Sequence, residues 1–193
     1  ADHADAVRLY AHRLLGRAAH LAAEGLVGVA TSGTTAALVE VNSETDFVAR
    51  NDGFQKAVRG IAGVALKNNG DVTKVAHAAS PDGEGTVNEM LQRLVATVGE
   101  NMTLRRSAAL SVSEGVVATY VHNTVSDGLG KIGVLVALES KASADKLADI
   151  GRQLALHIAA ANPQAVSADE LDKALIERER SVYVEQAKVT GKS

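Results

Sequence analysis

The 193-residue chain is 46% apolar but only 3% aromatic, so its core must be assembled from Ala, Val, Leu and Ile. Its net charge of −3 argues against nucleic-acid binding by bulk electrostatics, which needs a basic surface. The absence of cysteine excludes disulfides, thiolate metal sites and a Cys nucleophile, and no apolar run reaches the roughly 18 residues that span a bilayer.

The opening stretch ADHADAVRLYAHRLLGRAAHLAAEG places Val7, Tyr10, Leu14, Ala18 and Leu21 near helical spacing, which predicts a linker helix over residues 1–24. Arg8, Arg13 and Arg17 between them also fit an organelle transit peptide, against which Asp2, Asp5 and Glu24 weigh. After Gly25, LVGVATSGTTAALVEVN reads as a hairpin around the turn dipeptide Ser32-Gly33. A polar stretch, Ser43 to Asp52, follows. Phe54, Ala57, Val58, Ile61, Ala62, Ala65 and Leu66 then recur at helical spacing. Asn51 or Asp52 can cap that helix, and Asn69-Gly70 suits its end.

Residues 71–86, with Pro81, Gly83 and Gly85, read as a loop. A second helix is predicted from Val87 to Val98 with a stop at Gly99, and NMTLRRSAAL alternates as a strand. GVVATYVHN and KIGVLVALE form two further strands around a Gly/Ser/Asp loop at 123–130. Ser143 can cap a helix carrying Leu147, Ile150, Leu154, Ile158 and Ala161, which Asn162-Pro163 ends. Ser167 and Glu170 have capping-box spacing and predict the start of a last helix, running to about Thr190.

The segments LVEVNSETDFVARNDGFQKAVRGIAGVALKNN and VLVALESKASADKLADIGRQLALHIAAANP share one order: strand, polar connection, amphipathic helix, Asn stop. They read as a weak repeat of a hairpin-plus-helix unit. The fold class is therefore α+β, with two related subdomains of antiparallel hairpin sheet and helices packed on one face of each. Residues 25–110 form the first subdomain and 111–193 the second. The second copy has the bland connection SKASADK, so the fold can be built without Thr45, Asp46 and Phe47.

Motifs for chemistry are few. GLGKIG, Gly128 to Gly133, matches G-x-G-x-x-G but leads into a strand, so it reads as a hairpin loop and not as a dinucleotide site. The closing GKS lacks the upstream glycine of a phosphate loop, since position 186 is Gln. His3, His12, His20, His77, His122 and His157 include no pair at helical spacing for a metal. Glu44 and Asp46 lack an accompanying nucleophile or cofactor motif. The chain reads as a non-enzyme with no cofactor. Phe47, one of two Phe in a chain without Trp, is open to two readings. It plugs the strand–helix junction, or it stands out as an aromatic knob of the kind that anchors protein recognition.

VEVNSETDFVARNDGFQ resembles the central signature of the elongation factor Ts family, nucleotide-exchange factors for elongation factor Tu. AAEGLV, GENMTLRRSAAL, KIGVLVALE, LALHIAAANPQAVSADEL and ERERSVYVEQAKVTGKS resemble the family too, in family order, covering about residues 16–193. The resemblance implies that Asp46 and Phe47 wedge beside the partner's magnesium site, with Thr45 shaping the loop. It implies further partner contacts at Ile132, Gly133 and His157; for His157 a satisfied, partly buried histidine is the alternative. It implies elongation factor Tu as partner, no direct nucleic acid or membrane contact, and a homodimer in the full-length family form. The setting would be the bacterial cytoplasm, or the mitochondrial matrix if organellar. The family's N-terminal three-helix module and the helical hairpin that follows GKS find no match here. A family-derived structural or assembly subunit that has lost exchange is the rival reading.

Overall fold

The computed structural model describes residues 8–15, 24–163, 165 and 167–190. The chain divides into two compact units, one running through Asn162 and the other from Pro163. The first holds strands β1 (Arg8–Leu15), β2 (Glu24–Ser32), β3 (Thr35–Ser43), β4 (Met102–Ser111), β5 (Gly115–His122), β6 (Leu129–Gly130) and β7 (Ile132–Glu139). It also holds helices α1 (Asp52–Lys67), α2 (Val72–His77), α3 (Val87–Val98) and α4 (Ala144–Ala161). The second unit carries α5 (Lys173–Thr190).

Two antiparallel sheets, ordered β4-β3-β2-β6 and β1-β7-β5, are stacked face to face. Period-2 alternation explains the stacking. Along β3, Ala37, Val39 and Val41 join the cluster built with α1 and α3, while Ala36 and Leu38 meet Val27 and Leu135 between the sheets. Helices α1, α2 and α3 cover the outer face of the first sheet. Helix α4 covers the second, through Leu147, Ala155 and Ile158 on Val134, Val136 and Leu138. The fold is α+β, as the patterning implies, and β3–α1 and β7–α4 are the two copies of the repeat.

Gly133 shows how closely the sheets approach. A Cβ there would lie 2.5 Å from Val27 Cγ1 and 2.8 Å from Leu38 Cδ2. Gly133→Ala is therefore expected to destabilise the fold by about 1–3 kcal/mol, read as a lower denaturant midpoint with an unchanged slope.

Glu40 continues the inter-sheet row of β3 and is fully buried. A bulge between Glu40 and Val41 lets both Arg105 and Arg106 of β4 reach its carboxylate, and Asn42 Nδ2 donates to it at 3.1 Å. The ion pairing compensates a charge that would otherwise be costly to bury.

Besides helix α2, which forms within the loop expected at residues 71–86, three local expectations are corrected. Arg8–Leu15 is not a helix: it pairs antiparallel with β7 from Arg8↔Glu139 to Leu15↔Ile132. The open edge of β7 offers that segment a full ladder of backbone hydrogen bonds, which outweighs weak helical periodicity. Residues 1–7 and 16–23 lie outside the described residues, and Glu24, placed in the same helix by the sequence, begins β2. Second, β1 completes the second sheet and β6 joins the first, so the halves interlock and the chain does not divide at 110/111. Third, the last helix starts at Lys173, after a 3₁₀ turn at Ala168–Glu170. Asp172, whose Oδ1 accepts from the Ala174 amide at 2.9 Å, supplies the cap in place of the expected Ser167–Glu170 box.

Candidate functional site

The loop between β3 and α1 is fixed at both ends. On one side, Ser43 Oγ donates to the Thr45 carbonyl at 3.0 Å. Thr45 donates its amide to Glu100 Oε2 at 3.0 Å, and its hydroxyl lies 2.8 and 3.0 Å from the two Glu100 oxygens. On the other side, a 3₁₀ turn at Val48–Arg50 is closed by the Ala49, Arg50 and Asn51 amides donating to the carbonyls of Asp46, Phe47 and Val48. Asn51 then caps α1 through the Phe54 amide at 3.0 Å.

Val48 and Ala49 are each 3% exposed and join the core, so they, and not Phe47, fill the strand–helix junction. Phe47 is left 73% exposed. Its neighbours Glu44, Asp46, Arg50 and Asp52 are exposed too. An apolar ring held out on a pinned loop within a charged rim has the layout of an interface anchor.

Ile132 opens β7, half-buried against the α4 cluster. Gly133 is buried between the sheets, where close packing accounts for it. His157 is exposed on α4, beside the exposed Leu156 and on the same solvent side as Ile150. The reading of His157 as partly buried is thus corrected: Ala155, Ile158 and Ala159 take the inward positions.

These positions share one end of the sandwich. Lys131, just before β7, donates to Glu24 Oε2 at 3.0 Å and to the Gly25 carbonyl at 3.1 Å, and Glu24 pairs with Ser43 at the base of the loop. Helix α4 runs back along β7. Gly151 meets Ala118, which pairs with Val136. At about 1.5 Å per helical and 3.3 Å per strand residue, the six residues from Gly151 to His157 return roughly 9 Å, to the level of Gly133. Thr45, Asp46 and Phe47 thus form one loop, and Ile132 and His157 lie toward the same end on the other sheet and its helix.

A groove of about 510 Å³ lies between α1 and α3, lined by Gly53, Lys56, Pro81, Met90, Arg93 and Leu94. The loop along its rim is tied by Asp82, which accepts from the Ser80 hydroxyl, from Arg93 at 2.8 Å and from the Glu84 amide at 3.1 Å. Those donors, the Ser80 hydroxyl foremost, hold the Asp82 carboxyl down at about 2, below its ordinary 3.8. A depressed carboxyl adds stability above its ordinary value and loses it as pH falls through its folded value. Stability should therefore fall more steeply from about pH 4 to pH 2 in the natural chain than in Asp82→Asn, read from thermal midpoints across that range.

Sequence reasoning missed Glu100 and Asn101, which hold the loop from the start of β4. The only local signal was a carboxylate and an amide side chain in succession directly after the helix-stopping Gly99. Among the described residues, no cluster of His, Asp and Glu could hold a metal ion, and no helix is long and apolar enough to cross a membrane.

The family described as Elongation factor TS matches residues 44–193. The chain is 59% identical over 171 residues to an elongation factor Ts of Rhizobium etli (strain CIAT 652), covering 89% of this chain and 56% of that protein. Identity is 57% to the elongation factor Ts of Rhizobium meliloti (strain 1021) and 56% to that of Sinorhizobium fredii (strain NBRC 101917 / NGR234), at the same coverage. The chain thus spans a little over half the length of these relatives. On a match over most of its length, carrying the Thr45–Phe47 loop, the chain belongs to the elongation factor Ts family.

Proposed function

We propose that the chain is a guanine-nucleotide exchange factor of translation elongation, acting on elongation factor Tu. The observation that carries this reading is Phe47, 73% exposed on a loop fixed at both ends. In this reading Phe47 enters an apolar pocket of the partner and Asp46 follows it to the edge of the magnesium site. The contacts form best when the nucleotide site is open, so binding of the chain and binding of the diphosphate oppose one another. Linkage makes the opposition reciprocal: whatever the diphosphate loses in affinity when the chain is bound, the chain loses when the diphosphate is bound. Abundant triphosphate then displaces the chain. No bond is made or broken by the chain itself, so it needs no catalytic residue or cofactor. Ile132 and His157, toward the same end of the sandwich, would extend the contact. The bacterial relatives support a cytoplasmic setting over the mitochondrial matrix.

Titration of the chain against elongation factor Tu tests the linkage. At least about tenfold tighter binding to the nucleotide-free partner than to its GDP form is expected, within the usual range of coupling between sites. Equal affinity for the two forms would remove the thermodynamic basis for exchange.

A further inference from the structure

We propose that Glu100 is a positioning residue that, with Asn101, holds the Thr45–Phe47 loop in the conformation that receives the partner. The inference rests on the exchange reading for its consequence and on geometry for its mechanism.

The β3–β4 backbone ladder ends at Ser43↔Met102. Beyond it, side chains continue the same antiparallel register. Asn101 Nδ2 donates to Glu44 Oε1, and the Glu100 carboxylate accepts from both the amide and the hydroxyl of Thr45. Gly99 makes this approach possible. It ends α3 in the left-handed conformation, at φ +83°, and turns the chain so that Glu100 and Asn101 come up beside the loop. Glu100 and Thr45 are both half-buried, so water competes less well for a bond that the carboxylate's charge already strengthens.

The residues on either side of Asp46 and Phe47 are therefore fixed by partners far away in the sequence. Thr45 is held by Glu100, 55 residues on, and Val48 and Ala49 are held by the core. Between these fixed points Asp46 and Phe47 project. A loop ordered before encounter has less conformational freedom to lose on binding, and a loop ordered only part of the time binds with an affinity reduced by that fraction. Glu100 is thus expected to set the concentration at which the chain acts. The maximal rate, which depends on Phe47 once docked, should not depend on it.

The chain contains no Trp, so Phe47→Trp creates a single indole on the loop, excited selectively over the three Tyr at the red edge of their absorption. In the isolated chain, adding Glu100→Ala or Thr45→Val should lower the anisotropy of that indole, whereas Thr45→Ser, which keeps the hydroxyl, should restore it. In GDP release from elongation factor Tu, Glu100→Ala in the natural chain should raise the half-saturating concentration about tenfold and leave the saturating rate within about twofold. Combined with Phe47→Ala, it should add less than about twofold, because it acts through Phe47. Thermal midpoints identify any variant that fails to fold, and Thr45→Val removes the hydroxyl part of the contact from the other side while keeping the amide bond. Unchanged anisotropy in both Glu100→Ala and Thr45→Val would overturn the proposal, as would a full Glu100 effect without Phe47. If the natural chain does not accelerate GDP release, the exchange reading falls. The anisotropy arm then decides the positioning role by itself.

Discussion

Phe54→Ala is expected to remove about 3–5 kcal/mol of folding stability, the usual cost of truncating a buried aromatic, and to lower the thermal midpoint by roughly 10 °C. Phe54 is fully buried and heads the core cluster between α1 and the first sheet, with Leu26, Val39, Val41 and Ile61. It is one of only two Phe in the chain, and its buried neighbours are Ala, Val, Leu and Ile with Met90 and Met102, none of which has an aromatic ring to replace it. Its amide is also the donor to the Asn51 cap, so the cavity opens at the first turn of the helix that follows the Thr45–Phe47 loop. Chemical denaturation checks the figure, and a loss below about 1 kcal/mol would mean that the site collapses without cost and the packing described is wrong.

Phe47→Ala, seven positions earlier, is expected to do the opposite. Stability should stay within about 0.5 kcal/mol, because an exposed side chain contributes little to the fold. The concentration needed to release GDP from elongation factor Tu should rise about 30- to 1000-fold, the loss of a hot-spot aromatic worth about 2–4 kcal/mol. The two substitutions delete the same side chain from the same stretch and divide stability from function. A Phe47→Ala chain that unfolds would show the ring to be part of the core; one that is stable and fully active would leave the loop without a role.

The two Phe also show what was legible from the sequence. Phe54 lies on a helical stripe with Ala57, Val58, Ile61, Ala62 and Ala65, and that periodicity placed it in the core correctly. Phe47 lies in a polar run with no period, and sequence left both of its readings open. What settled them was the burial of Val48 and Ala49, an outcome of how the 3₁₀ turn packs. Strands β2 to β5 and β7 and helices α1, α3 and α4 were legible because each carries its own alternation or stripe and its own stop. Asn69, Gly99 and Asn162 all take the left-handed conformation expected of a helix end. The GLGKIG stretch reads the same way in structure as in sequence: Gly128, at φ +70°, turns into β6 and β7, and no helix follows.

What escaped the sequence depends on distant partners. Strand β1 forms on the edge of a strand more than a hundred positions later in the chain, and no local pattern announces it. Helix α2 has six residues and one buried side chain, Val75, too few to show a period, although Asp71 caps it at the Thr73 and Lys74 amides. Glu100 reads as one more solvated charge until β3 and β4 bring it to Thr45. The buried charge of Glu40 is equally invisible, since its Arg partners are in place only because of a bulge in that pair of strands.

The proposed opening of the elongation factor Tu nucleotide site through Phe47 has a single decisive readout. The most direct measurement is the release of fluorescent GDP from elongation factor Tu with increasing natural chain and, in parallel, increasing Phe47→Ala chain. Acceleration that saturates with the natural chain and is strongly weakened in the variant is expected. Release at the spontaneous rate under saturating natural chain, with binding still detected, would contradict it.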